Sequence, residues 1–194
     1  MSVMKNKILL LNCPSGAGKN EMGFQFEKNL GCVQREFKDQ LYKIAYPLTK
    51  CNGFGSFLKH CTDRKLKETP SDLFRGYSPR GFLIHVSEDI IKPAFGQDFF
   101  GVKAAESISE KDFEKGVVFT DGGFIEEVYP LIEKFGGENV YIVQFCGQGK
   151  NSFEGDSRNW IDTDDCHVIK MKERNEDIWP ALYMKLILRE VVNT

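Results

Sequence analysis

The chain has no C-x-x-C pair, no apolar run approaching membrane-spanning length, no marked excess of either charge, and no repeat or low-complexity tract. Each absence removes a class of protein. The six cysteines, at 13, 32, 51, 61, 146 and 166, are scattered along 194 residues. That is not the framework of a small disulfide-stapled domain. Free thiols in a reducing cytosol are expected, and with them a cytoplasmic location. His60-Cys61 with Cys51 nearby lacks a convincing fourth ligand for a tetrahedral metal site. The apolar stretch near the start, Ile8 to Leu11, is too short for a signal peptide or a membrane span, so no membrane partner is expected. A formal net charge of −2 argues against a broad nucleic-acid-binding surface, because neutralising phosphates takes clustered cations. What remains is a chain with 41% hydrophobic and 28% charged residues, the composition of an ordinary globular protein. Its length suits one domain with insertions.

The stretch richest in information is Lys7 to Glu21, KILLLNCPSGAGKNE. Ile8 to Leu11 has the length of a strand buried on both faces, and it runs directly into Ser15-Gly16-Ala17-Gly18-Lys19. Past the lysine, Met22, Phe24 and Phe26 to Leu30 read as an amphipathic helix. Strand, glycine turn, lysine and helix are the parts of a phosphate-cradling P-loop. The glycines let backbone N–H groups converge on an anion at a helix N-terminus, and Lys19 carries a mobile charge to the outer phosphates. Cys13 stands where the pattern has its first glycine, and Asn20 where it has a hydroxyl that touches Mg²⁺. The Asn20 amide oxygen remains able to meet the metal directly or through water.

Gly31 to Phe37 reads as a second strand and Lys38 to Ala45 as a helix with Leu41, Ile44 and Ala45 on one face. Phe37, Lys38 and Asp39 then lie at a strand's carboxyl end, where open α/β sheets bind ligands. Asp39 has two readings, orienting a sugar or base and capping its helix. The stretch from Pro47 to Arg75 reads as a helical insertion over the sheet edge, with a turn at 52–55 and a basic helix from Phe57 to Lys67. Ser78-Pro79 opens a helix that carries Phe82, Leu83, Val86 and Ile90 along Gly81 to Ile91. Arg80 in its first turn stands against the helix dipole, which suits either an anion ligand or a solvated surface arginine. Ser87-Glu88-Asp89, Lys92 and Phe95 to Gly101, including Asp98, mix carboxylates, cations and aromatic rings as a nucleoside pocket does, although such phenylalanines also build cores.

Ser109 to Asp112 has the form of a capping box. Gly116 to Asp121 is an apolar strand that ends in a carboxylate, the form of a Walker B element holding Mg²⁺ or its water. A helix from Ile125 to Phe135 and a strand from Val140 to Phe145 follow. The polar, glycine-rich Cys146 to Trp160 reads as a mobile lid, with Lys150 and Arg158 able to reach a transferring phosphoryl group on closure. Cys166 to Ile169 is a last strand. The closing helix, Ile178 to Val192, presents Trp179, Leu182, Tyr183, Leu186 and Ile187 as its core stripe. Five apolar strands alternating with helices specify a parallel α/β sheet covered on both faces.

With these pieces in order, the sequence resembles the phage deoxynucleoside monophosphate kinases, within the wider P-loop nucleoside monophosphate kinases. The resemblance rests on Ser15 to Asn20, on Phe37-Lys38-Asp39-Gln40-Leu41, on Ser78-Pro79-Arg80, and on Gly96 to Phe100. It extends to the Asp121 strand and to Asp156-Ser157-Arg158. It implies a P-loop kinase-like three-layer sandwich with a five-stranded parallel sheet. The single domain, 1–194, would carry a helical substrate-binding insertion at about 47–115 and a lid at about 146–160. It implies that Ser15, Gly16, Ala17, Gly18, Lys19 and Asn20 bind the phosphates of ATP, and that Asn20 and Asp121 serve Mg²⁺. Lys19, Arg80, Asp121 and Arg158 would form the catalytic set, and Phe37, Asp39, Arg80, Glu88, Lys92 and Asp98 the acceptor site. Gly123 departs from the D-x-R that relatives carry after this strand, and Tyr42 replaces a basic residue common after F-A-D-P-L.

The function expected is transfer of the ATP γ-phosphoryl group to a deoxynucleoside monophosphate. Two alternatives stand beside it. One is a P-loop kinase acting on a hydroxymethylated base in DNA, the only reading with a nucleic-acid partner. The other is a nucleotide-binding protein without turnover. A homodimer is left open.

Overall fold

The structure is a computed structural model that describes residues 2–147, 152–154, 158–171 and 178–194. In chain order the helices are α1 (Lys19–Leu30), α2 (Lys38–Ala45), α3 (Phe54–Thr62), α4 (Pro79–Ile84), α5 (Lys92–Phe95), α6 (Phe99–Ser107), α7 (Glu110–Lys115), α8 (Ile125–Phe135) and α9 (Ala181–Asn193). The strands are β1 (Ile8–Asn12), β2 (Val33–Arg35), β3 (Val117–Phe119), β4 (Val140–Gln144) and β5 (His167–Lys170). The chain forms two compact units, one from Met1–Phe37 with Gly101–Thr194 and the other from Lys38–Phe100.

The first unit is built on one five-stranded sheet in the order β2-β3-β1-β4-β5, every pairing parallel. Strands β1, β3 and β4 are buried at every position, as expected of a parallel sheet covered on both faces. The twofold alternation of side chains sorts them into two cores. Leu9, Leu11, Val118, Tyr141 and Val143 pack with Met22 and Phe26 of α1 and Tyr183, Met184 and Ile187 of α9. Ile8, Leu10, Val117, Phe119 and Ile142 pack with Ala104 of α6 and with Val128 and Leu131 of α8. The unit is therefore a three-layer α/β sandwich.

Local chemistry sets the helix positions. Helix α1 ends at Gly31, whose left-handed backbone (φ 69°) lets its N–H close on the Glu27 carbonyl. Its Gly23 faces β3, and a β-carbon there would run into the Thr120 methyl. A β-carbon on Gly101 would lie 2.7 Å from the Glu127 Cα, so α6 and α8 meet backbone to backbone. The capping box at α7 forms as the sequence predicts: Ser109 accepts from the Asp112 N–H, and Asp112 accepts from the Ser109 N–H.

The second unit is helical around an aromatic core of Tyr42, Phe57, Phe74, Phe82 and Phe100 with Val86 and Ile91. Phe57 stacks on Phe74 at 5.8 Å between ring centroids, and Phe74 meets Phe82 edge-on at the same separation. Ser78 caps α4 by accepting from the Gly81 N–H, with Pro79 in the first turn, as expected.

Several boundaries depart from the sequence reading. The expected helix over Gly81 to Ile91 is an α-helix only to Ile84, and His85–Ile91 is a π-helix. The i→i+5 bonding widens the turn and rotates the buried face, so Ile91 enters the core and Ile90 is left exposed. The basic helix expected from Phe57 to Lys67 is α3, which stops at Thr62, followed by a one-turn 3-10 helix at Leu66–Glu68. Asp63 interrupts the run, its carboxylate accepting from the Lys65 and Leu66 N–H groups in a turn. Strand β2 is shorter than expected, and Phe37 lies beyond its end. On α9 the buried stripe is Tyr183, Met184, Ile187 and Val191, whereas Leu182 and Leu186 are exposed. All six cysteines are free thiols, as expected. No helix among the described residues is long and apolar enough to cross a membrane.

Candidate functional site

The site begins where β1 ends. Asn12 is the last residue of that strand, and Cys13 to Gly18 turn the chain into α1. Gly16 (φ 84°) and Gly18 (φ 95°) hold left-handed backbone, which a side chain would strain. Gly18 is the N-cap of α1 and has no side chain to bond the helix's first N–H groups. The first N–H groups of a helix point out of its N-terminus, here towards the loop, at the positive end of the α1 dipole. Lys19 folds back over its own loop, its Nζ donating to the Cys13 carbonyl at 2.6 Å and the Pro14 carbonyl at 2.9 Å. This places the ammonium across the concavity of the loop. Ser15 and Asn20 are exposed and Ala17 is buried.

Two further walls rise beside the loop. On one side β3 leads through Thr120 to Asp121, whose Oδ1 accepts the Phe37 N–H at 2.8 Å and so ties the ends of β3 and β2 together. Thr120 donates to Glu36 at 3.2 Å, bringing a second carboxylate to this edge. Phe37 stacks on Phe119 at 4.5 Å, so its ring packs in the core rather than forming a platform for a base. On the other side the backbone after β4 presses against the loop. A β-carbon on Gly147 would stand 3.0 Å from the Ala17 Cα.

The segment expected to be a lid is docked where it is described. Ile161 donates its N–H to Asn12 Oδ1 at 2.9 Å, and Asn12 Nδ2 donates to the Asn159 carbonyl at 3.0 Å. Gln144 Nε2 donates to the Ile161 carbonyl at 2.6 Å and to Asn12 Oδ1 at 3.2 Å. Asn12 and Gln144 are register partners at the carboxyl ends of β1 and β4, and both are buried. Neither was singled out in the sequence; the available signal was a polar residue closing each of two apolar strand runs. Arg158 lies over Gly123, and its guanidinium is 5.9 Å from the Phe153 ring. Lys150, Asp156 and Ser157 lie outside the described residues.

The loop's electrostatics are seen at Cys13. Complete burial pushes its thiol up to about 12, against the opposing pull of the Phe145 backbone hydrogen bond and the positive charges of Lys19 and Arg158. Cys13 is therefore a protonated packing residue with the Val143 carbonyl 3.8 Å from its sulfur, not a nucleophile. A cavity of about 320 Å³ opens at the ends of β4 and β5, with Phe145, Trp160 and Met171 among its walls and Asp162 and Lys170 at its polar part. Those last two form an ion pair at 2.8 Å.

The remaining expected site residues belong to the second unit. Arg80 is 56% exposed and its Nε donates to Glu68 Oε1 at 2.9 Å, so it is a charged group with an exchangeable partner. Lys92 is buried and pairs with Glu88 at 2.7 Å one turn away, and Glu88 also accepts from the Ser87 hydroxyl. Asp39 sits in the first turn of α2. Asp98 is exposed. Phe95 is exposed whereas Phe100 is core.

For Mg²⁺, the described residues contain no cluster of three or more metal-binding His, Cys, Asp or Glu side chains, so they offer no all-protein cage. A cation held mostly by phosphates and water needs only one or two protein oxygens, and Asp121 and Asn20 each carry an oxygen of that type.

No family model matches the chain, and no curated protein sequence does. Among solved structures it is similar to the unliganded crystal structure of a sugar kinase from Janibacter sp. HTCC2649, at 9% identity and a TM-score of 0.43 over 95% of each chain. A likeness that distant carries no argument about activity, and the functional reading rests on the geometry of the loop.

Proposed function

We propose that this protein is a P-loop phosphotransferase that moves the γ-phosphoryl group of ATP to a nucleoside monophosphate, a deoxynucleotide by its resemblance to the phage kinases. The observation that carries the reading is the Gly16–Lys19 loop. Left-handed glycines, an uncapped helix N-terminus and a lysine folded across the concavity stand at the carboxyl end of a central strand, one strand away from Asp121. Backbone N–H groups and a lysine in that arrangement suit a polyphosphate. The cavity by Phe145 and Trp160 has the size and apolar walls to take the donor's base.

In the reaction, an oxygen of the acceptor's phosphate forms a bond to the γ-phosphorus. The bond from that phosphorus to the β–γ bridging oxygen breaks, and its electron pair leaves with ADP. Because the attacking phosphate is already ionised, no side chain has to remove a proton. The chain's work is placement and neutralisation of charge. Loop amides hold the donor's phosphates, and Lys19 exchanges its two carbonyl partners for their oxygens. By the resemblance, Arg80 would exchange Glu68 for the acceptor phosphate, and Arg158 would balance charge on the γ-phosphoryl group from its binding through its transfer. Asp121 and Asn20 would hold Mg²⁺, which when bound supplies neutralising charge on the donor phosphates.

The test is a chromatographic assay in which ATP, Mg²⁺ and each deoxy- or ribonucleoside monophosphate are incubated with the protein and diphosphate product is scored. Product with one or a few acceptors is expected. Tight ATP binding with no product from any acceptor would replace this reading with a nucleotide-binding protein.

A further inference from the structure

We propose that Arg158 is seated at the phosphate loop before any nucleotide arrives, rather than being carried there by closure of a lid. In this proposal Gly123 is its seat, and the Asn12–Gln144 pair is the clasp that holds it. The inference rests on the phosphate-loop reading above and adds positioning residues to it.

The first observation is the space over Gly123. A β-carbon at this residue would lie 2.5 Å from Cγ and 2.7 Å from Cβ of Arg158, and nearer still to Cδ. Those are the three nearest atoms, and all belong to the arginine. Gly123 is not among the glycines with left-handed backbone, so its conformation does not call for glycine. The requirement is room. Arg158 uses that room close to its own backbone, where a side chain has little freedom to swing aside.

The second observation is how the backbone on either side of that contact is held. The Asn159 N–H donates to the Gly123 carbonyl at 3.3 Å. Asn12, with none of its surface exposed, spends both polar atoms of its side chain on Asn159 and Ile161. Gln144 bonds Asn12 and Ile161 together. Breaking this set would strand buried amide groups without partners, which is costly, so the backbone after Arg158 is fixed to the ends of β1 and β4. β1 runs into the loop that carries Lys19, and β4 is its sheet neighbour. The field of Arg158 reaches Cys13 inside that loop, alongside the field of Lys19. An arginine fixed there meets an anion in the ground state, whereas one delivered by closure would act mainly on the transition state.

The test is a double-mutant cycle read by calorimetric titration of ATP with Mg²⁺ into the full chain, with Lys19→Ala as the control for the loop itself. Arg158→Ala and Gly123→Ala are each expected to weaken ATP binding about tenfold or more, the scale of one lost charge-assisted hydrogen bond. Gly123→Ala/Arg158→Ala is expected to bind no worse than Arg158→Ala, and to be as stable, because the added methyl then has no arginine to displace. The double variant also serves if Gly123→Ala alone folds poorly. Losses that multiply would show that Gly123 does not act through Arg158. ATP binding abolished in Lys19→Ala but unaltered in both single variants, with only kcat reduced in Arg158→Ala, would overturn the seated arginine and leave the phosphate loop standing. Absence of ATP binding by the unaltered protein would end both readings together.

Discussion

Lys19 donates to the Cys13 and Pro14 carbonyls of the loop it serves. Replacing it with alanine removes the loop's mobile charge without opening the core. Lys19→Ala is expected to lower kcat by about 10²–10³-fold, the cost of one preorganised donor to a developing anion. Steady-state assay of the variant beside wild type measures this, and near wild-type turnover would remove the phosphate-loop assignment. Cys13 carries a different residue-scale consequence. Its thiol and that of Cys32 are pushed up to about 12 by burial, and Cys166 to about 11, from an ordinary value of 9.0. Above 9.0 the unfolded chain loses thiol protons that the folded chain still holds, so the unfolded state binds fewer protons and stability falls as pH rises. The contribution is whole below pH 9.0 and is lost progressively towards about 12. Urea unfolding under reductant across that window is expected to show the decline, with a shallower slope in Cys13→Ala.

At the scale of elements, the seat of α1 on β3 depends on one missing side chain. Gly23→Ala would drive a β-carbon into the buried Thr120 methyl and is expected to destabilise the fold by about 1–3 kcal/mol. Thr120→Ser in the same chain removes that methyl and should recover most of the loss, as urea unfolding of the single and double variants would show. Helix and strand positions in the first unit were largely legible. Ile8 to Leu11, Val117 to Phe119 and Val140 to Val143 are continuous apolar runs with no competing reading, and Ile125–Phe135 coincides with α8. The π-helix at His85–Ile91 was not legible. Its sequence satisfies an α-helical pattern, and the structure puts Ile91 in the aromatic core of this unit and leaves Ile90 exposed.

For the whole molecule, the strand order decides where chemistry gathers. The connection leaving β1 runs over β3 to β2, while the one leaving β4 runs the other way to β5. Ligands in open α/β sheets bind at the carboxyl ends of strands where the connections diverge, and here that point is the mouth of the Lys19 loop. Binding there should register as global stability. ATP with Mg²⁺ at about 100 times its Kd is expected to stabilise the fold by about 2.7 kcal/mol, seen as a raised Tm, and Lys19→Ala should lose most of the shift. A Tm indifferent to ATP at any concentration would remove the site.

The sequence by itself determined the loop and its lysine, the parallel α/β class, and the carboxylate at the end of β3. Each is a local pattern in which residue type, spacing and neighbouring apolar run agree. Only the tertiary structure decided what surrounds them. That Asn12 and Gln144 are neighbours follows from the register of β1 against β4, two strands 132 residues apart at that pair. That Gly123 is a seat for Arg158 follows from the return of a distant backbone to the sheet edge. Such pairings are set by burial of both sheet faces and by satisfaction of buried amides. Neither leaves a mark in local sequence beyond a polar residue at the end of a strand.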